Sequence, residues 1–199
     1  GDVFDAIAGF PVHRGVLAFG RSMPELLGVD GLDETLADIK RRRGLVLVAS
    51  GLSNHDNMGA LFRNGAAYGV GAVLLDPQAC DPLYRKSIRV SVGTVLTVPF
   101  FRLESAEAIH RRLSAAGFEC YALSPSGDRL LHEVEKQGPS ALLVGTEGEG
   151  LPAELLARIQ TLRITMAPGL DSLNVATSAA IALHHFFSRR APRALQGLP

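Results

Sequence analysis

Ala141-Leu142-Leu143-Val144-Gly145-Thr146-Glu147-Gly148-Glu149-Gly150-Leu151 passes from an unbroken apolar run directly into a glycine-rich turn, and Pro152 then opens a helical pattern. Continuous apolarity, as opposed to alternation, marks a strand covered on both faces, the condition of a parallel sheet. Further strands of the same kind are expected at Leu45–Ala49, Ala72–Leu75, Val95–Val98, Cys120–Leu123 and Leu162–Met166, beside the one at Ala141–Val144. Helical patterns lie between them at Leu32–Arg42, Met58–Tyr68, Ala106–Ala116, Pro152–Gln160 and Leu173–Phe187. The alternation predicts an α/β fold, a mostly parallel sheet with helices on both faces. Ligands of such sheets bind beyond the carboxyl ends of the strands.

The 199 residues suffice for one domain with a substantial core. Hydrophobic residues make up 47% and charged residues 20%, an ordinary balance for a globular protein. Lys+Arg and Asp+Glu both number 20, so no overall positive field points to nucleic acid. Local basic runs do occur at Lys40-Arg41-Arg42-Arg43, at Arg85, Lys86 and Arg89, and at Arg189, Arg190 and Arg193. Each reads either as a solvated surface or as a phosphate contact. Cys80 and Cys120 have no CxxC spacing, which argues against zinc and against a disulfide. The least charged stretch, Leu173 to Phe187, is too short to cross a bilayer. The chain is expected in the cytoplasm, with no membrane and no metal among its partners.

Three polar segments lie where strands give way to turns or helices. In Asn57-Met58-Gly59-Ala60-Leu61-Phe62-Arg63, Asn57 suits a helix cap and Gly59 permits close backbone approach. Arg63 is a permanent cation in a helix otherwise made of small and apolar residues, and reads as an anion contact or a salt-bridged surface group. In Gly145-Thr146-Glu147-Gly148-Glu149-Gly150, exposed backbone groups suit an adenosine-type ligand, and Glu149 reads as surface charge. In Ser172-Leu173-Asn174-Val175-Ala176, Asp171 or Ser172 suits the cap of a last helix whose small residues invite tight packing. All three are expected to converge on one crevice.

In this order, between about residues 45 and 188, the segments resemble the three motifs of the SpoU–TrmH methyltransferases of the SPOUT superfamily. Those enzymes transfer a methyl group from S-adenosylmethionine to a ribose 2′-hydroxyl of tRNA or rRNA. The resemblance implies a deep C-terminal trefoil knot, a homodimer and an RNA partner. It implies that Arg63 binds substrate phosphate and assists the reaction, with Asn57 and Glu147 at the reaction centre and Ser172 and Asn174 orienting the ribose. A guanidinium is a poor base, so stabilising a developing alkoxide is as good a role for Arg63 as proton abstraction. By the same resemblance Gly145, Gly150, Ile164, Met166 and Leu173 contact the cofactor, with Leu123 beside the adenine. Asn54-His55-Asp56 departs from the family's usual Asp-Pro before the asparagine. His13-Arg14-Gly15-Val16-Leu17-Ala18 looks like the closing strand of the RNA-recognition domain that often precedes the catalytic domain. Residues 1–20 are therefore expected to be the tail of a truncated N-terminal domain, 21–44 a linker and first helix, and 45–199 the catalytic domain.

Two other classes fit parts of the sequence. A non-catalytic RNA-binding protein could keep this fold, although Asn57, Arg63, Glu147, Ser172 and Asn174 are all present. Gly148-x-Gly150-x-x-Ala153 also fits a dinucleotide-binding fingerprint. Glu147 beside a pyrophosphate and only about 45 remaining residues speak against that. His184 and His185 read as packing or capping groups, His55 as exposed, and Asp81–Arg85 as a surface turn leading to a helix. Ser91 reads as a residue near the site.

Overall fold

A computed structural model of the chain describes residues 29, 31–146 and 148–189. The expected remnant at residues 1–20 and most of the linker lie outside these residues. The elements run α1 Leu32–Arg41, β1 Leu45–Ala49, α2 His55–Ala67, β2 Val70–Leu75, α3 Arg85–Val90, β3 Phe100–Arg102, α4 Ala106–Ala115 and β4 Glu119–Leu123. They continue with β5 Arg129–Leu130, β6 Ser140–Val144, α5 Ala153–Leu156, β7 Gln160–Arg163 and α6 Val175–Ser188. The strands form one seven-stranded sheet ordered β3-β2-β1-β6-β4-β7-β5, with every pairing parallel.

The pleat sends alternate residues of each strand to opposite sides. Leu45, Leu47 and Ala49 enter a core with Met58, Leu61 and Phe62 of α2 and Ala179, Leu183 and Phe186 of α6. Val46 and Val48 enter a second core with Leu36 and Ile39 of α1, Ile109 and Leu113 of α4, and Leu155 of α5. Both faces are covered, so all five residues of β1 and of β6 are buried.

Several sequence expectations need correction. Val95–Val98 is not a strand: Thr94–Leu96 is a 3-10 turn, and pairing resumes at Phe100 after Pro99. Val95 and Val98 point inward three residues apart while Leu96 is 65% exposed, the periodicity of a turn. Thr94 and Thr97 hydroxyls bond to carbonyls three residues back, which favours the turn over a ladder. The strand expected at Leu162–Met166 begins two residues earlier and ends at Arg163. Its polar Thr161 is satisfied by Asp128, donating to the carboxylate at 2.9 Å and accepting from the Asp128 amide at 3.0 Å. The helix expected over Pro152–Gln160 is one turn, Ala153–Leu156, because the chain then tightens and enters β7.

Candidate active site

The asparagine expected to cap α2 does not do so. Asn54 caps it, accepting from the amides of Asp56 at 2.8 Å and Asn57 at 3.4 Å. The helix therefore starts at His55 and carries Asn57, buried, in its first turn. There Asn57 Oδ1 accepts a 2.9 Å bond from Asn174 Nδ2. Neither Asp171 nor Ser172 caps α6. Asn174 caps it, its Oδ1 accepting from Ala176 at 2.9 Å and Thr177 at 3.3 Å. One amide group thus ends the loop before α6 and joins that helix to α2. Two turns further along α2, Asn64 Nδ2 donates 2.9 Å to the Ala176 carbonyl. The two asparagines of α2 hold the start of α6 in place.

Gly145, directly after β6, is fixed by close packing. A Cβ there would lie 2.3 Å from Gly150 C, 2.4 Å from Leu151 N and 2.5 Å from Gly150 O. The turn folds back on itself through Thr146, whose amide donates to the Gly150 carbonyl at 3.3 Å and whose Oγ1 accepts from the Gly150 amide at 3.0 Å. Gly148 and Gly150 have φ of 113° and 74°, open to glycine at little cost. The turn is supported from β1. A Cβ on Gly51 (φ 65°) would lie 2.6 Å from Thr146 Cγ2. Gly51 is held in turn by Asp76, a buried carboxylate beyond β2 that accepts from its amide at 2.9 and 3.0 Å, from Ser50 Oγ at 2.6 Å and from the Ala79 amide at 2.9 Å. Arg102 Nη1 then donates to the carbonyls of Asp76 and Ala79 at 2.5 and 2.8 Å. Sequence reasoning missed this relay; its signal was an acidic residue at the end of an apolar strand.

Beyond the carboxyl ends of β4, β6 and β7 these segments enclose a cavity of about 450 Å³. Leu123, Gly145, Gly150, Ile164, Met166, Ser172, Leu173 and Asn174, all singled out in the sequence, line it. Ser124, Pro125, Thr146 and Ser178 join them without having been proposed. Ser178 lies four residues after Asn174, on the same face of α6, a spacing the sequence already contained. Arg63 is different: it is exposed on α2, does not line the cavity, and has no ion pair or hydrogen bond among the described residues. Glu147 lies outside the described residues. Ser91 is fully buried, its Oγ donating to Ile88 O at 2.9 Å, and is not part of the wall.

The cavity is apolar on the side of Leu123, Val144, Leu162, Ile164 and Met166 and polar where Ser172, Asn174 and Thr146 approach. Its size and mixed lining suit a nucleoside-sized ligand. The marked pKa shifts lie apart from this wall. Tyr121 is pushed up to about 12 by burial, and then by its hydrogen bond to Glu119 and the Glu119 charge. Burial raises the Cys120 thiol to about 11. Every buried side-chain polar atom among the described residues has a partner. No cluster of His, Cys, Asp and Glu among those residues could hold a metal ion, and none of their helices is long and apolar enough to cross a membrane.

Comparison with known proteins agrees with this geometry. Residues 44–184 match the SpoU rRNA Methylase family. A protein of Mycobacterium bovis named as an uncharacterized tRNA/rRNA methyltransferase is 39% identical over 189 residues, 92% of this chain and 62% of its own length. The 23S rRNA (guanosine-2′-O-)-methyltransferase RlmB of Haemophilus influenzae is 30% identical over 94% of this chain and 75% of its own. Among solved structures, the AdoMet-bound rRNA methyltransferase of Sinorhizobium meliloti is 29% identical, with a TM-score of 0.69 over 75% of this chain and 58% of that one. The chain thus spans less than two thirds of the mycobacterial relative. The matched span takes in the sheet, the glycine turn after β6 and the asparagine clasp between α2 and α6, and on these grounds the chain belongs to the SpoU rRNA Methylase family.

Proposed function

We propose that the chain is the catalytic part of an S-adenosylmethionine-dependent RNA methyltransferase acting on the ribose 2′-hydroxyl of a tRNA or rRNA nucleotide. The observation that carries this reading is the cavity closed by Gly145, Leu173 and Asn174, in a chain similar to RlmB and to an AdoMet-bound rRNA methyltransferase. The residues fit the cofactor. Gly145, Gly148 and Gly150 all line the cavity, so at these positions the turn offers main chain without side chains to the ligand. S-adenosylmethionine, when bound, supplies an electrophilic sulfonium methyl group.

The chain's own residues then have distinct tasks. Leu123, Ile164, Met166 and Leu173 shield the purine and the sulfonium side from water. Asn174, fixed by its bond to Asn57 and its cap on α6, presents a rigid edge to the target ribose with Ser172 beside it. Rigid placement of two reactants supplies a large part of the acceleration in such transfers. Arg63 has the charge to steady the alkoxide as the hydroxyl loses its proton. Its exposure suits a site completed by RNA or by a second protomer, and the homodimer and the knotted C-terminus belong to this reading. Ile181 of α6, 38% exposed, supports an apolar contact there.

Calorimetric titration with S-adenosylhomocysteine tests the pocket without RNA. Micromolar binding that is lost in Leu173→Glu is expected; a folded chain that does not bind contradicts the reading. Arg63→Ala should abolish methyl transfer and leave this binding intact. Retained turnover would refute its role.

A further inference from the structure

Resting on that RNA reading, we propose that the exposed face made by α3 and the first turn of α2 is the track on which the single-stranded RNA flanking the target nucleotide lies. The first turn of α2 already touches the cavity wall, because Asn57 is bonded to Asn174. Its other residues face α3. His55 packs against Tyr84 with ring centroids 4.4 Å apart, His55 O accepts from Ser87 Oγ at 3.1 Å, and Asp56 pairs with Lys86 at 2.7 Å. A Cβ on Gly59 would lie 2.7 Å from Ser87 O, so the two helices meet at backbone distance. The face is therefore rigid and continuous with the cavity.

Its chemistry is that of a strand-binding surface. Tyr84 is 44% exposed, its ring in contact with His55 at a tilt of 47°, and an exposed aromatic ring is a group on which a base can stack. Arg85 and Arg89 are exposed, one turn apart on α3, and neither has an ion pair among the described residues. Two like charges at that spacing repel unless an anion lies between them. The nearby carboxylates are committed: Asp56 to Lys86, and Asp81 to the Leu83 amide. Other exposed arginines are paired, Arg41 and Arg42 with Asp38, Arg112 with Asp33 and Arg189 with Glu135, whereas Arg63, Arg158 and Arg163 are, like Arg85 and Arg89, exposed without an ion pair among the described residues. Where α3 ends, Val92 adopts a φ of 56° and is 68% exposed. A β-branched residue is strained in that conformation. An exposed aromatic ring beside two guanidinium groups favours a stacked base and phosphates over an acidic peptide, which offers charge without rings.

The test uses the whole chain, fluorescence anisotropy with a labelled mixed-sequence oligoribonucleotide of about twelve nucleotides, and parallel calorimetry with S-adenosylhomocysteine. Tyr84→Ala should weaken RNA binding about tenfold. Arg85→Gln combined with Arg89→Gln should make the plot of log Kd against log salt shallower by about 1.4, roughly 0.7 for each phosphate that is no longer neutralised. Nucleoside binding should stay unchanged in both. Since the substituted groups are exposed, the arginine variant keeps the proposal falsifiable even if Tyr84→Ala misfolds. A parent chain that binds both probes, with variants that match its RNA affinity and salt slope, overturns the track alone. Equal binding of polyglutamate, abolished equally in the variants, overturns it in favour of an acidic protein partner. A parent chain that binds neither nucleoside nor RNA overturns the methyltransferase reading and the track with it.

Discussion

Gly145→Ala places a methyl group 2.3 Å from Gly150 C and 2.4 Å from Leu151 N, both backbone atoms that no rotamer change can move. An ordinary carbon contact needs about 3.5 Å, so the Gly150–Leu151 segment must shift by about 1 Å. That shift breaks the Thr146–Gly150 bonds at 3.0 and 3.3 Å, each worth about 1 kcal/mol, and overpacking adds about 1–3 kcal/mol. A total of about 3–5 kcal/mol in a chain of 199 residues lowers Tm by about 6–20 °C. Because the displaced turn is part of the cavity wall, affinity for S-adenosylhomocysteine should fall at least about tenfold. Gly138→Ala is the control, since nothing lies within 4 Å of the added Cβ. Differential scanning calorimetry and calorimetric titration of both variants read the two effects. A Gly145→Ala chain with unaltered Tm and affinity would refute the close-packed turn.

Gly59→Ala should push α3 from α2, the added Cβ lying 2.7 Å from Ser87 O and 2.9 Å from Val90 Cβ, and lower stability by about 1–3 kcal/mol in chemical denaturation. Asn64→Ala removes the bond to the Ala176 carbonyl and should cost about 1 kcal/mol, a Tm decrease of about 2–4 °C; no change would mean that α6 is held by packing alone. Tyr121, raised to about 12 from 10.0, stays neutral in the folded chain at pH values where the unfolded chain ionises. Its contribution is therefore complete below pH 10 and is lost as pH rises through about 12, up to about 3 kcal/mol. Tyr121→Phe should abolish the ultraviolet ionisation step near pH 12 and flatten alkaline unfolding; an unchanged titration would contradict the buried environment.

The parallel sheet was legible because its central strands are apolar without interruption, as at Leu45–Ala49 and Ala141–Val144. Val95–Val98 is similarly rich in apolar residues, interrupted only by Thr97, and folds as a turn, since Thr94 and Thr97 bond locally and only one of its sides meets the core. Composition records apolarity, and the number of covered faces is decided by neighbours far along the chain. The cavity wall was similarly legible in Gly145, Leu173 and Asn174, which occupy segments of recognisable local chemistry. The direction of individual bonds was not. Asn54 and Asn57 are both good caps, and which one caps depends on where the helix starts; only when Asn54 takes that role is Asn57 free to meet Asn174. The Asp76 relay escaped notice because its partners, Ser50, Gly51 and Ala79, come from two different loops.

Methyl transfer itself is measured most directly by incubating the chain with bacterial total RNA and S-adenosylmethionine bearing a deuterated methyl group, then digesting to nucleosides for mass spectrometry. A heavy methyl on the ribose of one nucleoside, absent from the Arg63→Ala reaction, is the result expected of this site. A heavy methyl on the base, or no labelled nucleoside from a chain that binds S-adenosylhomocysteine, would contradict ribose 2′-O-methylation.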